Sequence, residues 1–230
     1  MKNFIQTLKN IWGIEELRSK ILFTFLMILI YRIGAHIVLP GIDPQAMEAG
    51  AQNNTGILGL IDAFSGGAFN QASIFALGIM PYISASIVMQ LMTYVVPTFE
   101  QMKKEGEAGR RKITQYTRFL TIGLAVLQST TIITLARTPG RLFQGCNEQL
   151  LPNQSIQMLL TIVVVMTAGT ALIMWLGELI TDRGVGNGMS ILIFSSIISS
   201  FPGQLVSIFT IDGTLKFLLV ILVIGVTIVG

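Results

Sequence analysis

Long apolar runs alternate with short polar stretches along the whole chain. The runs occupy residues 21–39, 57–69, 74–96, 119–135, 156–179 and 189–201, and a last one begins near Leu215. A helix that crosses a bilayer needs about 20 predominantly apolar residues at 1.5 Å rise each. Residues 21–39, 74–96, 119–135 and 156–179 therefore predict four spans, 189–201 a short fifth, and the final run the start of a sixth. Residues 57–69 are too few to cross and are interrupted by Gly66-Gly67. The run at 74–96 carries Pro81, Ser84 and Ser86 at what reads as mid-depth. A face that meets only lipid leaves such groups without partners, so this face should meet protein or water. A half-length piece followed by a polar-faced span predicts a pore wall with a re-entrant segment folded into its mouth. At the N-terminus, Phe4, Ile5, Leu8, Ile11 and Trp12 alternate with Lys2, Lys9, Arg18 and Lys20, the pattern of an amphipathic helix lying on the membrane surface.

Composition sharpens this reading. Hydrophobic residues make up 52% of the 230 and charged residues 12%; soluble domains carry roughly 25% charged residues. Mean hydropathy is +0.70. The expectation is an all-α, polytopic helical membrane protein in which residues 1–230 form one membrane domain. The last run reaches Gly230 without a polar flank, so the chain is expected to be part of a longer protein. The net charge of +3 matters less than its placement. Lys2, Lys9, Arg18, Lys20, the six cations of residues 97–118 and Arg183 fall on one side of the alternating spans. Arg137, Arg141 and Lys216 fall on the other. Eleven against three puts the N-terminus and the 97–118 loop in the cytoplasm. The 57–69 segment then enters from the outer face.

Little here is equipped for covalent chemistry. Cys146 is the one cysteine and His36 the one histidine, which removes disulfides within the chain, cysteine metal sites and histidine clusters. Arg32 and His36 lie four apart near the far end of the first span, a spacing that suits snorkelling or pairing with backbone. Gly184, Gly186 and Gly188 resemble a nucleotide-binding run, but they follow a span rather than a strand and lack the second half of the motif; a tight turn with Asn187 as helix cap fits better. No nucleophile elbow occurs. Carboxylates are missing from mid-span positions, which disfavours an ion-coupled transporter. The run 168–171, Ala-Gly-Thr-Ala, suits close helix packing. The basic loop, with Lys103, Lys104, Arg110, Arg111 and Lys112 beside Gly106 and Gly109, suits an anionic partner.

Four stretches carry a family resemblance: RIGAHIVLPGID, FSGGAFNQASIFALGIMPYISASI, KKEGEAGRRKITQYTR and MWLGELITDRGVGNGMSI. In this order they are similar to the SecY family, pore subunits of the bacterial protein-translocation channel. The resemblance implies ten spans in two inverted halves around an hourglass pore, with this chain supplying the first half and the start of the second. It implies that the re-entrant segment is a plug, with Ile57, Leu58, Leu60, Ile61, Phe64, Gly66, Gly67 and Phe69. It implies a pore ring that includes Ile79, Ile83, Met189 and Ile193, with methionine at 189 where the family usually has isoleucine. Ser84, Gln90 and Gln128 would line a lateral gate for signal peptides. The basic loop would face the SecA motor. Further implied partners are the SecE and SecG subunits, the ribosome, translocating polypeptides and membrane lipid, with nucleic acid touched only through the ribosome. No cofactor or metal is implied, and the location is the plasma membrane.

The residue types suit these roles. Ile79 and Ile83, like Met189 and Ile193, are four apart and would stack on one helical face. Apolar side chains at a constriction break the water column and block ions. Isoleucine is stiff at χ1, whereas methionine adapts to irregular gaps. The competing readings are a secondary transporter with broken helices and an intramembrane hydrolase. Continuation of the chain into about four more spans with two large basic loops would favour the channel.

Overall fold

The computed structural model describes residues 13–51, 57–138, 150–201 and 220. The amphipathic N-terminal stretch and the run from Leu215 otherwise lie outside the described residues. Eight helices are described: α1 (Glu15–Gly34), α2 (Pro44–Ala51), α3 (Ile57–Ser65), α4 (Met80–Val95), α5 (Pro97–Lys104), α6 (Glu107–Ala136), α7 (Ile156–Arg183) and α8 (Gly188–Phe201). Among the described residues there is no strand, only one isolated antiparallel bridge between Val38 and Ser73. By length and composition α6 and α7 can cross a membrane, and α4 with α5 forms an apolar pair bent by 96°. Helix α8 is shorter than a crossing requires.

Several boundaries differ from the sequence expectation. Helix α1 begins before residue 21, where Glu15 and Glu16 meet its N-terminal dipole. It ends at Gly34 rather than Leu39. Beyond it, the Leu39 amide donates to the Ala72 carbonyl at 2.8 Å and the Ile74 amide to the Ile37 carbonyl at 2.9 Å. His36 thus leaves the helix and does not share a helical face with Arg32. The expected span 74–96 becomes helical only at Met80. Gly78 at φ 56° and Ala72 at φ 49° are left-handed conformations that no helix continues through. Pro81 consequently stands in the first turn of α4, where a missing N–H costs no hydrogen bond; it is not a mid-span kink. The 97–118 stretch is no loop. It forms α5, a turn at Gly106 (φ 75°) and the opening turns of α6.

Helix α7 is the central element, packed on α1, α4 and α6. Its buried positions include Ile162, Met166, Gly169, Thr170, Ile173, Leu176, Gly177 and Ile180. Helix α6 buries Thr117, Thr121, Ala125, Ser129 and Ile133, and α4 buries Pro81, Ala85, Met89 and Thr93. Both are stripes spaced by four and dominated by small side chains, the arrangement that lets ridges of neighbouring helices interlock. The hydroxyls of Thr117 and Thr121 donate to carbonyls four residues back, so they are buried without loss of a partner. Large apolar side chains such as Phe25, Leu91, Phe119, Leu127, Val164 and Trp175 point outward.

Candidate functional site

The irregular backbone between α3 and α4 is wedged among the helices. Gly169 makes room for it: a Cβ there would lie 2.1 Å from the Ile74 carbonyl oxygen. Gly169, within the small run on α7, thus receives irregular backbone. On the opposite side, a Cβ at Gly34 would lie 2.3 Å from the Phe75 ring. Phe75 stacks on Tyr31 with ring centroids 5.6 Å apart. The segment also closes on itself. The Asp62 carboxylate accepts from the Asn70 amide and side chain at 3.0 and 2.8 Å. Ser65 donates to the Asp62 carbonyl and accepts from the Phe69 amide.

All four ring candidates meet in one apolar cluster. Ile79 and Met189 are buried in it with Met27, Tyr31, Ile173 and Leu192, and the half-buried Ile83 and Ile193 pack against it. Ile79 caps α4 rather than standing within it, yet the Ile83 amide still donates to its carbonyl at 3.0 Å. The pair therefore keeps helical register. Met189 reaches the cluster because α8 turns tightly out of α7. Asn187 Oδ1 accepts from the amides of Met189 and Ser190 at 3.1 and 3.3 Å, the cap expected from the sequence. Thr181 donates to the Gly177 carbonyl and accepts from the Gly188 amide, each at 2.9 Å.

Of the segment candidates, Phe69 is buried, and Ile61, Phe64, Gly66 and Gly67 are half-buried. The side chains of Ile57, Leu58 and Leu60 lie outside the described ones. Ser84 and Gln128 are half-buried on α4 and α6, and Gln90 is exposed, donating weakly to Ser86 at 3.5 Å. No hydrogen bond joins these three among the described residues, although α4 and α6 pack together.

The basic candidates divide between two helices. Lys103 and Lys104 are on α5; Arg110, Arg111 and Lys112 are on α6. Lys103 lies 4.5 Å from the Tyr94 ring centroid, Lys104 pairs with Glu100 at 2.7 Å, and Lys112 pairs with Glu105 at 3.5 Å. Lys104 holds the Glu100 carboxyl below the usual range. Arg110 and Arg111 make no ion pair among the described residues, and both line a cavity of about 730 Å³ with Glu107, Arg118, Glu178 and Asp182. Tyr82 and Met189 also line it, so the charged cavity ends against the apolar cluster. Arg118 and Glu178 bridge α6 and α7 at 2.6 Å.

The SecY family model matches residues 73–230. The chain belongs to the SecY family. A Streptomyces coelicolor protein named Protein translocase subunit SecY is 52% identical over 224 residues, covering 94% of this chain and 51% of that protein. A Mycobacterium bovis protein of the same name is 47% identical over 232 residues, covering 99% of this chain and 52% of its own length. The chain spans about half the length of the curated SecY relatives it matches. Among solved structures, one described as "The structure of a protein conducting channel" aligns with a TM-score of 0.57 at 18% identity, over 91% of this chain and 42% of that one. The Sec61 chain of a canine ribosome-channel complex from the endoplasmic reticulum aligns with the same figures. At that identity these two show shared fold.

One group of polar residues, apart from its Arg32, is not marked by the sequence pattern. Tyr31, Ser196 and Ser199 gather with Arg32 around the 65–66 backbone. The signal available was a tyrosine beside an arginine inside an apolar run. Its side-chain partners, Ser196 and Ser199, lie more than 160 residues away, beyond any local pattern.

Proposed function

We propose that this chain forms the first half, and the start of the second, of the central subunit of a protein-conducting channel. Residues 1–230 then belong to one membrane domain in the plasma membrane, with the N-terminus in the cytoplasm. Its substrates are secretory polypeptides threaded across the bilayer and membrane segments released sideways into lipid. Ile79, Ile83, Met189 and Ile193 form their share of the pore ring, residues 57–70 the plug, and Ser84, Gln90 and Gln128 the near wall of the lateral gate. SecE and SecG are neighbouring subunits. SecA or the ribosome docks on the cytoplasmic face that presents Lys103, Lys104, Arg110, Arg111 and Lys112. The chain itself makes and breaks no covalent bond; the work comes from those partners.

The observation that carries this reading is the meeting of four apolar side chains from two separate helix starts in one cluster, of which Met189 lines the charged cavity, beside the irregular 66–79 backbone. An apolar constriction below a polar vestibule excludes ions without selecting any sequence. The transporter reading is not favoured by SecY relatives along nearly the whole chain. The test is ion conductance of the full-length channel, without substrate, after Ile79→Gly and Ile83→Gly together. The expected outcome is a persistent leak. Conductance equal to that of the unaltered channel would remove these residues from the seal.

A further inference from the structure

The contacts that hold the 57–70 segment in place differ in strength, and the difference has a direction. Tyr31 is fully buried, and its hydroxyl lies 2.8 Å from Ser196 Oγ but 3.3 Å from the Ser65 carbonyl. The Arg32 Nη1 donates to the Gly66 carbonyl at 3.3 Å, while Nη2 donates to Ser199 Oγ. Good hydrogen bonds of these types have modes near 2.8 to 3.0 Å. The bond from Tyr31 to the segment is thus the longer of its two, and the bond from Arg32 to the segment is itself a long one. Ser196 and Ser199 are three apart on α8, on one face of that helix.

We propose that Tyr31 and Arg32 form a two-position latch: in the closed channel they hold the carbonyls of Ser65 and Gly66, and when that segment leaves they fall back on Ser196 and Ser199. Proton counting at the buried hydroxyls supports this. Tyr31 and Ser196 own one O–H each. With the segment in place, the latch has Tyr31 donate to the Ser65 carbonyl and Ser196 donate to Tyr31, a contact in which either hydroxyl can be the donor. With the segment gone, Tyr31 donates to Ser196, and Ser196 donates to the Leu192 carbonyl, already 2.9 Å away. No buried hydroxyl loses its partner in either position, so opening avoids the cost of an orphaned polar group. The bonds from Asp62 to Asn70 and through Ser65 Oγ are internal to the segment and can move with it, while the amides of Gln71, Ala72 and Ser73 tie its Gly67, Phe69 and Ala68 carbonyls to the chain that follows. Gly66 is the point where the latch comes closest: a Cβ there would lie 3.1 Å from both Arg32 Nη1 and the Ser196 backbone.

This inference rests on reading residues 57–70 as a plug. The experiment is open probability of the full-length channel in planar bilayers without substrate, for four variants. Tyr31→Phe keeps the stack on Phe75 and removes the hydroxyl. It should raise open probability about five- to tenfold, the equivalent of one net hydrogen bond. Ser196→Ala leaves the bond to Ser65 but strands the tyrosine once the segment leaves. It should lower open probability by a similar factor. A role in fold stability alone would shift both variants the same way, and that result, or no shift in either, overturns the latch. Should Tyr31→Phe impair assembly, Arg32→Lys reads the same node, since one ammonium cannot serve Gly66 and Ser199 together; it too should raise open probability. Deletion of residues 57–70 separates the two ideas. A leak after deletion with no response to Tyr31→Phe sinks the latch and leaves the plug standing. No leak after deletion sinks the plug, and the latch with it.

Discussion

Three glycines in the span helices face three different surroundings. At Gly169 an added methyl meets the Ile74 carbonyl at 2.1 Å, a backbone atom held by its own segment. At Gly177 it meets the thioether sulfur of Met189 at 2.0 Å, the far end of a flexible side chain. At Gly123 on α6 nothing lies within 4 Å. Replacing glycine by alanine inside a helix gains about 0.5–1 kcal/mol of backbone entropy, while overpacking a filled site costs about 1–3 kcal/mol. Gly123→Ala should therefore raise the thermal midpoint of the full-length protein in detergent. Gly177→Ala should leave it nearly unchanged, because Met189 can move. Gly169→Ala should lower it, by about 2 kcal/mol of stability or more. Any other ranking would mean the 66–79 backbone does not press on α7 as described. The sequence made the small run at 168–171 readable as a close approach. It could not say what approaches, because the partner is irregular backbone with no periodicity of its own. The same limit hid Tyr31: a buried hydroxyl is recognised by its partners, and these, Ser65 and Ser196, come from two separate stretches of chain.

At the scale of elements, the surface helix α5 and the first turns of α6 were legible in retrospect. Pro97 is a favoured first helical residue, and Glu100 and Lys104 have the four-residue spacing of a helix pair. A dense run of charge masked that pattern as loop. The distinction matters, because helices fix where the cations point. Lys103, Lys104 and Lys112 are engaged with Tyr94, Glu100 and Glu105, whereas Arg110 and Arg111 face the cavity. If an anionic partner docks here, Arg110→Glu with Arg111→Glu should weaken its binding to reconstituted channels at least tenfold. Lys104→Gln should change it less than threefold, since rim charges already paired contribute little. Equal losses would argue for a diffuse positive field instead of an address. The Glu100–Lys104 pair adds a pH limit of known sign. The carboxyl titrates below its ordinary value in the folded state, so its support for α5 is present above the ordinary carboxylate range and fades as pH falls through the lowered value.

At the scale of the whole molecule, the vestibule and the apolar cluster share a boundary, and that boundary is measurable. Thr114, Arg111 and Asp182 line the cavity, as do Tyr82 and Met189 at its floor. Ile83 and Ile193 lie half-buried against the cluster that contains Met189. Water should reach the first set freely and stop at the second. If the proposed channel reading and orientation hold, then in full-length protein with every native cysteine, Cys146 included, replaced by serine, a cysteine at Thr114 should react with a charged thiol reagent added from the cytoplasmic side, whether or not substrate is present. A cysteine at Ile83 should resist that reagent at rest and become reactive while a polypeptide is threaded through, because the thiolate forms only where water reaches it. The contrast between the two sites reports the seal, and the contrast between resting and threaded states reports its opening. Equal reactivity of both cysteines at rest would mean that water passes the cluster, so that the oily side chains gathered from α4 and α8 only fill a core. Reactivity at Ile83 that stays low even with a threaded chain would place the conduit elsewhere in the bundle.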